Sequence, residues 1–188
     1  MYLRIYNGYY GRYSHLHKPE LFSLPCGMGE THDETEEKTD MNDPLYLQKI
    51  CSIIGKEGCY LCALAAIARL ESGTWPDLVH IYRKAVELGY MRPDCYINGV
   101  RGTHGGIYIL YLMTGLHWNT GEIPLDYVCT LNQYDTVKYA KLINGVPDKE
   151  KAHFVLGDGK GGCALDSLES SQTVATGVPV SRRLWWVL

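Results

Sequence analysis

A cysteine at the start of a predicted helix is the residue of this chain that is best suited to nucleophilic chemistry. Cys59 follows Gly58 and precedes Tyr60-Leu61-Cys62-Ala63-Leu64-Ala65, a run of mostly small and apolar residues that predicts a packed helix. The free amide groups of a first helical turn and the positive end of the helix dipole stabilise an anion. Cys59 is therefore predicted to react as a thiolate nucleophile.

A histidine and a carboxylate further along the chain complete a candidate catalytic triad. His153 begins the apolar run His153-Phe154-Val155-Leu156, which predicts a buried strand, and the glycine-rich segment 157–162 predicts a hairpin after it. This hairpin would bring Asp166 back beside His153. His153 would then be the base for Cys59, and Asp166 would orient its imidazole. The oxyanion hole would use the Cys59 amide and one side chain upstream, for which Gln48 is the candidate.

Each of these residues also has an ordinary structural interpretation. Cys62, one turn after Cys59, is typical of a buried small hydrophobic residue, and Cys59 is preferred as the nucleophile because it lies nearer the helix start. His153 could be a hydrogen-bonded core histidine, and Asp166 could cap the turn at Ser167. The order Cys, His, Asp with matching local structure favours the triad.

The spacing Cys59-x-x-Cys62 also matches a redox dithiol or half of a zinc site. Zinc would need two more ligands at usable spacing, and the chain has no second C-x-x-C and no H-x-x-x-H. A thioredoxin-like motif would follow a strand, which the sequence before Cys59 does not predict. We therefore expect no metal site.

The elements that would position the triad predict an α+β domain over residues 44–188, with helices first and an antiparallel sheet second. The predicted helices are a short or irregular one from Pro44 to Ile54, the cysteine helix ending at Ser72-Gly73, one from Pro76 to Gly89, one from about Thr103 to Gly115, and one over Asp135–Ile143. The predicted strands are Tyr127–Leu131, His153–Leu156, Gly162–Asp166 and Leu184–Leu188.

The first 43 residues differ from the rest in composition. Residues 1–26 are rich in Tyr, His and Gly and predict a strand or arm, whereas residues 27–43 are acidic and predict a solvated loop. Net charge is −3, so a basic surface for nucleic acid is not expected. The chain shows no signal peptide and no run of about 18 apolar residues, and its seven cysteines are odd in number, so we expect a cytoplasmic protein without membrane contacts.

A resemblance to a known family adds to this interpretation. Gly58-Cys59-Tyr60-Leu61-Cys62-Ala63-Leu64-Ala65 resembles the Gly-Cys-x-x-(Thr/Ser)-Ser-Leu-Ala-Met helix of papain-like cysteine peptidases of the bacteriocin-processing, double-glycine leader peptidase type, which include stand-alone bacterial and phage domains. His153-Phe154-Val155-Leu156-Gly157 is similar to their histidine strand, and Leu165-Asp166-Ser167 to the step that carries their third residue. The resemblance covers about residues 44–188.

The resemblance implies a papain-like fold, in which a helical lobe with the cysteine packs on a sheet with the histidine and aspartate. It implies amide hydrolysis through a Cys59 thioester, a peptide or protein substrate, with cell-wall peptide among the candidates, and no cofactor. The alternative is a catalytically inactive binding module on the same scaffold, because tyrosine-rich loops and an acidic segment also suit protein recognition. Reactivity of the Cys59 thiol distinguishes the two.

Overall fold

The structure is a computed structural model that describes residues 43–168 and 171–188. Four helices, with a small β-hairpin between the third and fourth, come before a five-stranded antiparallel sheet, and this confirms the predicted α+β class. The elements are α1 Pro44–Glu57, α2 Cys59–Ser72, α3 Leu78–Glu87, β1 Gly99–Val100, β2 Thr103–His104, α4 Gly106–Thr114, β3 Trp118–Ile123, β4 Gln133–Ile143, β5 Val146–Gly157, β6 Cys163–Leu165, α5 Gln172–Thr176 and β7 Val178–Val187.

The central helix of the domain is α2, the helix that begins with Cys59. The spacing of its apolar residues predicted burial of one face only. In the structure every residue from Leu61 to Ala68 is buried, so the helix is covered on all sides. Its alanines allow close approach, and α2 contacts α1, α4 and β5. A helix that is apolar all round is held by tertiary packing. The position of Cys59 is therefore fixed by the core.

A sharp bend at Gly58 places Cys59 at a helix start. The chain bends by 94° between α1 and α2, and Gly58 is both the C-cap of α1 and the N-cap of α2. A Cβ atom at this position would overlap the carbonyl oxygen of Ile54, so only glycine fits without a shift of the backbone. The chain thus starts a new helix directly before the cysteine.

The main sheet has the strand order β3-β7-β4-β5-β6 and two differently packed faces. The larger core lies between the helices and one face, where Trp118, Leu156 and Trp185 are buried. On the other face Val137, Tyr139 and Val155 form a small cluster with Val174 of α5. The sheet is therefore covered on both sides near β4 and β5.

Two secondary-structure predictions were wrong. Asp135–Ile143 is not a helix but most of β4, the strand that pairs with both β5 and β7. Its hydrogen bonds come from strands distant in sequence, and strand preference depends on such neighbours more than on local residues. Tyr127–Leu131 is an irregular loop, and β3, which the sequence analysis missed, lies before it.

Other elements differ in their boundaries. α1 continues through Gly55 to Glu57, and α3 begins at Leu78, because Asp77 is its N-cap and accepts a hydrogen bond from the amide of His80. Segment 103–105, predicted as the start of a helix, holds β2 and a turn before α4. Helices α2 and α4 end at Gly73 and Gly115 as predicted, and the structure shows both glycines in the left-handed conformation.

A buried ion pair fixes the turn between β5 and β6. The Arg182 guanidinium donates to Asp135 Oδ2 at 2.9 Å and 2.7 Å and to the carbonyl of Leu125 at 2.8 Å, and Asp135 Oδ1 accepts from the amide of Gly159 at 3.0 Å. Both charged side chains are almost fully buried, at 0% and 1% exposure. Strand β7, strand β4 and the turn that leads to Asp166 are thus joined at one point.

The predicted arm at residues 1–26 and all but the last residue of the predicted acidic loop at 27–43 lie outside the described residues. Asp43 is described, and its carboxylate caps α1 by accepting from the amide of Leu45. Among the helices of the described chain, none is by itself long and apolar enough to cross a membrane. The bent pair α1 and α2 passes such a test only when the two helices are taken together.

Candidate active site

The start of α2 and the edge of β5 form the walls of an open cleft of about 750 Å³. Cys59 lines this cleft from the helix side, and His153 lines it from the strand. Strand β6 pairs with β5 only at Leu156 and Gly157, so it leaves the part of the strand at His153 uncovered. The free thiol of Cys59 is partly exposed in this gap.

The predicted hairpin brings Asp166 to His153. Leu165 pairs with Leu156, and the next residue of the chain places its carboxylate Oδ1 2.5 Å from His153 Nε2. The same oxygen accepts from the amide of Leu168 at 2.8 Å. Asp166 therefore both caps a turn and contacts the histidine. The structural interpretation of this residue as a turn cap and its interpretation as the partner of His153 are both compatible with this geometry.

His153 contacts the carboxylate and lines the cleft with the thiol. Its Nε2 is occupied by Asp166, so Nδ1 is the nitrogen that remains for the thiol, and Cys59 is near enough to the imidazole to raise its pKa. Burial of the imidazole by itself lowers the pKa of His153, but the hydrogen bonds with Asp166 and Cys59 outweigh it and raise this pKa to about 9. The site thus favours an imidazolium beside the thiol.

The helix start distinguishes Cys59 from Cys62. No side chain caps the first turn of α2, so no side-chain acceptor occupies its amide groups, and the positive end of the helix dipole favours an anion here. Cys62, one turn later, has no exposed surface and belongs to the main core. Of the two thiols, Cys59 is the one that the cleft reaches.

Gln48 lies away from this arrangement. It is on α1, about 14 Å along the helix axis from Glu57 at the usual rise per residue. Gln48 is not among the described residues that line the cleft. The structure brings together Cys59, His153 and Asp166, and it does not bring Gln48 to them.

An aromatic wall beside the thiol was not predicted. The Tyr60 ring stacks on Phe154 with centroids 4.2 Å apart, and Tyr60 Oη lies 3.4 Å from His104 Nε2. His104 Nδ1 accepts from the amide of Gly106 at 3.0 Å, so neutral His104 donates from Nε2 to the tyrosine. The adjacency of Tyr60 to Cys59 and of Phe154 to His153 was the available signal, because neighbours of a reacting residue tend to line its cleft.

Two histidines, the buried His153 and the partly buried His104, are expected to give the protein maximal stability near pH 6.5. Burial and the charge of Arg183 lower the pKa of His104 to about 4, whereas that of His153 is raised to about 9. His153 contributes stability below pH 6.5 that is lost as pH rises through 9; His104 contributes stability above pH 6.5 that is lost as pH falls through 4.

Urea-unfolding midpoints measured from pH 4 to 9 test this expectation. His153→Gln should flatten the alkaline decline, and His104→Asn, which keeps an acceptor near the position of Nδ1, should flatten the acid decline. Buried thiols such as Cys95, whose pKa burial raises to about 12, contribute only at higher pH. A midpoint that rises steadily to pH 9 in the unaltered protein would contradict the raised pKa of His153.

Within residues 43–168 and 171–188, no group of three or more His, Cys, Asp or Glu side chains is placed to hold a metal ion. Comparison with known proteins gives no independent guide to the site. No protein-family profile, no curated protein and no solved structure matches the chain.

Proposed function

We propose that this protein is a cysteine peptidase or amidohydrolase that uses Cys59 as nucleophile, His153 as base and Asp166 as the group that orients the imidazole. The observation that carries the proposal is the position of His153, which contacts the Asp166 carboxylate through Nε2 and lines the same cleft as the thiol at the start of α2. A helix start, an imidazolium and a partly buried carboxylate that orients it together activate a cysteine.

The reaction follows from these contacts. The Cys59 thiolate attacks the carbonyl carbon of an amide, and the open amide groups of the first turn of α2 stabilise the oxyanion. The protonated His153 gives its proton to the leaving amine as the C–N bond breaks, which leaves a thioester. Water then attacks the thioester, His153 takes its proton, and the acid and the thiol are released. Gln48 has no part in this proposal, since it lies outside the cleft.

We extend the proposal to a papain-like fold. Support comes from the order Cys, His, Asp along the chain and from a buried cysteine helix that packs against the strand carrying the histidine. The proposed substrate is a peptide or protein, with cell-wall peptide among the candidates. An open cleft of about 750 Å³ is large enough for several residues of an extended chain.

Cysteine labelling tests the proposal. We expect a trace of iodoacetamide to label Cys59 first, at a rate that changes little between about pH 5.5 and 8, whereas an ordinary thiol titrates near ~8.5 and reacts faster with each step in pH. Mass spectrometry identifies the labelled residue, and Cys129 and Cys163, which are also partly exposed, are internal references. Cys62→Ala should leave the labelling unchanged, and Cys59→Ala should abolish it.

The second candidate is a binding module without turnover. The observation that favours it is the position of Gln48, because the cleft then lacks the side-chain donor that the sequence suggested for the oxyanion hole. In that case Cys59 should react as slowly as Cys129 and Cys163 at every pH. Uniform slow labelling would therefore replace the peptidase proposal with the binding module.

A further inference from the structure

A second, smaller cavity opens beside the cleft on the sheet side of Tyr60. This side cavity has a volume of about 190 Å³, and Thr136, Ser181 and Arg183 line it together with Lys138. It shares Tyr60, His104, Lys138 and Phe154 with the cleft, so these four residues form the boundary between the two spaces. The two spaces therefore adjoin, and a molecule bound in the cleft at Cys59 can extend a group into the side cavity.

The strand register explains why the floor of the side cavity is polar. Lys138 of β4 pairs with Ser181 of β7 and with Phe154 of β5, and Thr136 pairs with Arg183. Directly paired residues of an antiparallel sheet point to the same face. The sheet face that carries Trp185 in the core thus continues into the side cavity as a floor with two cations, Lys138 and Arg183, and two hydroxyl groups, those of Thr136 and Ser181.

The charges of this floor are only partly compensated. Within the described part of the chain no carboxylate contacts Lys138, and its Nζ lies 5.6 Å from the centre of the Phe154 ring. Arg183 pairs with Glu122 at 3.0 Å, but the Glu122 side chain is 82% exposed, so this surface pair is weak and exchangeable. Arg182, which also lines the side cavity, is neutralised by Asp135. The side cavity keeps an excess of positive charge.

We propose that the side cavity is a subsite for a carboxylate of the substrate, held by Lys138 and Arg183 while the neighbouring amide lies at Cys59. The proposal rests on the proposed function and names its substrate class, a peptide with a carboxylate close to the cleaved bond. Hydroxyl donors and a lysine next to an arginine suit such an anion, and a partly enclosed site strengthens its attraction. The carboxylate has two sources, an acidic side chain or a free C-terminus.

Three alkylating reagents of one design test the subsite on the full chain. They are bromoacetyl-glutamine amide, which is neutral, bromoacetyl-glutamate amide, which carries a side-chain carboxylate, and bromoacetyl-glutamine with a free C-terminal carboxylate. Each forms a C–S bond with the Cys59 thiolate and releases bromide. The readout is a rate ratio, the rate with an anionic reagent divided by the rate with the neutral reagent. The intrinsic reactivity of the thiol affects both rates equally and cancels, so a slow thiol still gives a valid ratio.

We expect this ratio for Cys59 to exceed that of N-acetylcysteine amide in solution by about tenfold, the order that one favourable charge contact supplies. Lys138→Met and Arg183→Gln should each reduce it severalfold. Lys141→Met removes the same charge from an exposed position on β4 and should leave the ratio unchanged. The reagent with the larger ratio identifies the source of the carboxylate.

Two results would overturn the subsite. One is a ratio equal to that of N-acetylcysteine amide, and the other is an equal drop in Lys141→Met, which would mean a general charge effect. Thermal melting of each variant verifies folding. Lys138→Met and Arg183→Gln are separate substitutions, so the test remains valid if one of the two variants misfolds. Slow reaction of Cys59 with all three reagents contradicts the proposed hydrolase, whereas fast reaction without preference contradicts only the subsite.

Discussion

Alkylation of Cys59 at pH 6 is expected to slow about 100-fold when His153 is replaced by alanine, because an ordinary thiol is less than about one per cent ionised at that pH. His153 lines the cleft with Cys59 and holds a raised pKa of about 9, so it carries a positive charge beside the thiol in the unaltered protein. Its removal takes away that charge and the proton acceptor together. The measurement is the second-order rate constant with iodoacetamide from pH 5 to 9.

Two further variants test how much of this effect depends on Asp166 and whether it is specific to His153. Asp166→Asn keeps an acceptor for His153 Nε2 and for the Leu168 amide but removes the charge that supports the imidazolium, so we expect an intermediate loss of about tenfold. His80→Ala, at an exposed position on α3, is the matched control and should change nothing. Wild-type rates in His153→Ala would show that the helix start alone activates the thiol and that no triad operates.

Loss of the buried cation at Arg182 is expected to cost about 3–5 kcal/mol of unfolding free energy, the usual effect of leaving one member of a buried ion pair alone. Arg182→Met leaves the Asp135 carboxylate buried without its partner and leaves the carbonyl of Leu125 without its donor. Urea unfolding measures the change. The double variant with Asp135→Leu should recover part of the loss, since it removes the unpaired charge.

Gly157→Ala tests the same ion pair from the strand side. A Cβ atom at Gly157 would overlap the Asp135 carboxylate, so we expect a loss of about 1–3 kcal/mol from forced displacement of packed groups. Gly121→Ala on β3 is the matched control, because its Cβ would meet only the Trp186 ring at 3.9 Å. A cost for Gly121→Ala as large as that for Gly157→Ala would mean that strand glycines in general, and not the ion pair, are responsible.

This ion pair also connects the fold with the site. The turn that Asp135 holds through the Gly159 amide is the one that returns the chain to Asp166. The position of Asp166 in the proposed triad therefore depends on a contact between Asp135 of β4 and Arg182 of β7. In Arg182→Met, mobility of this turn should weaken the contact between Asp166 and His153, so Cys59 should lose its reactivity at pH 6 before the protein unfolds.

Local patterns were sufficient to predict the elements that carry the proposed triad. The small residues after Cys59 and the glycine at position 73 predicted the bounds of α2, because both signals act within one or two helical turns. The glycine-rich turn at 157–162 predicted the pairing of β5 with β6, because a short connection restricts the neighbouring strands to a hairpin. Chain order and local geometry thus determined which residues are candidates and on which elements they lie.

The tertiary structure decided the rest. Segment 135–143 forms a strand because β5 and β7, which are distant in sequence, supply its hydrogen bonds and its packing. Burial of Cys62 and exposure of Cys59 depend on how the bend at Gly58 directs α2 into the core. The position of Lys138 beside Arg183 depends on the register of three strands. Residue types and short spacings determine local conformation and available chemistry, but distances and charges at the site arise only when distant segments pack together.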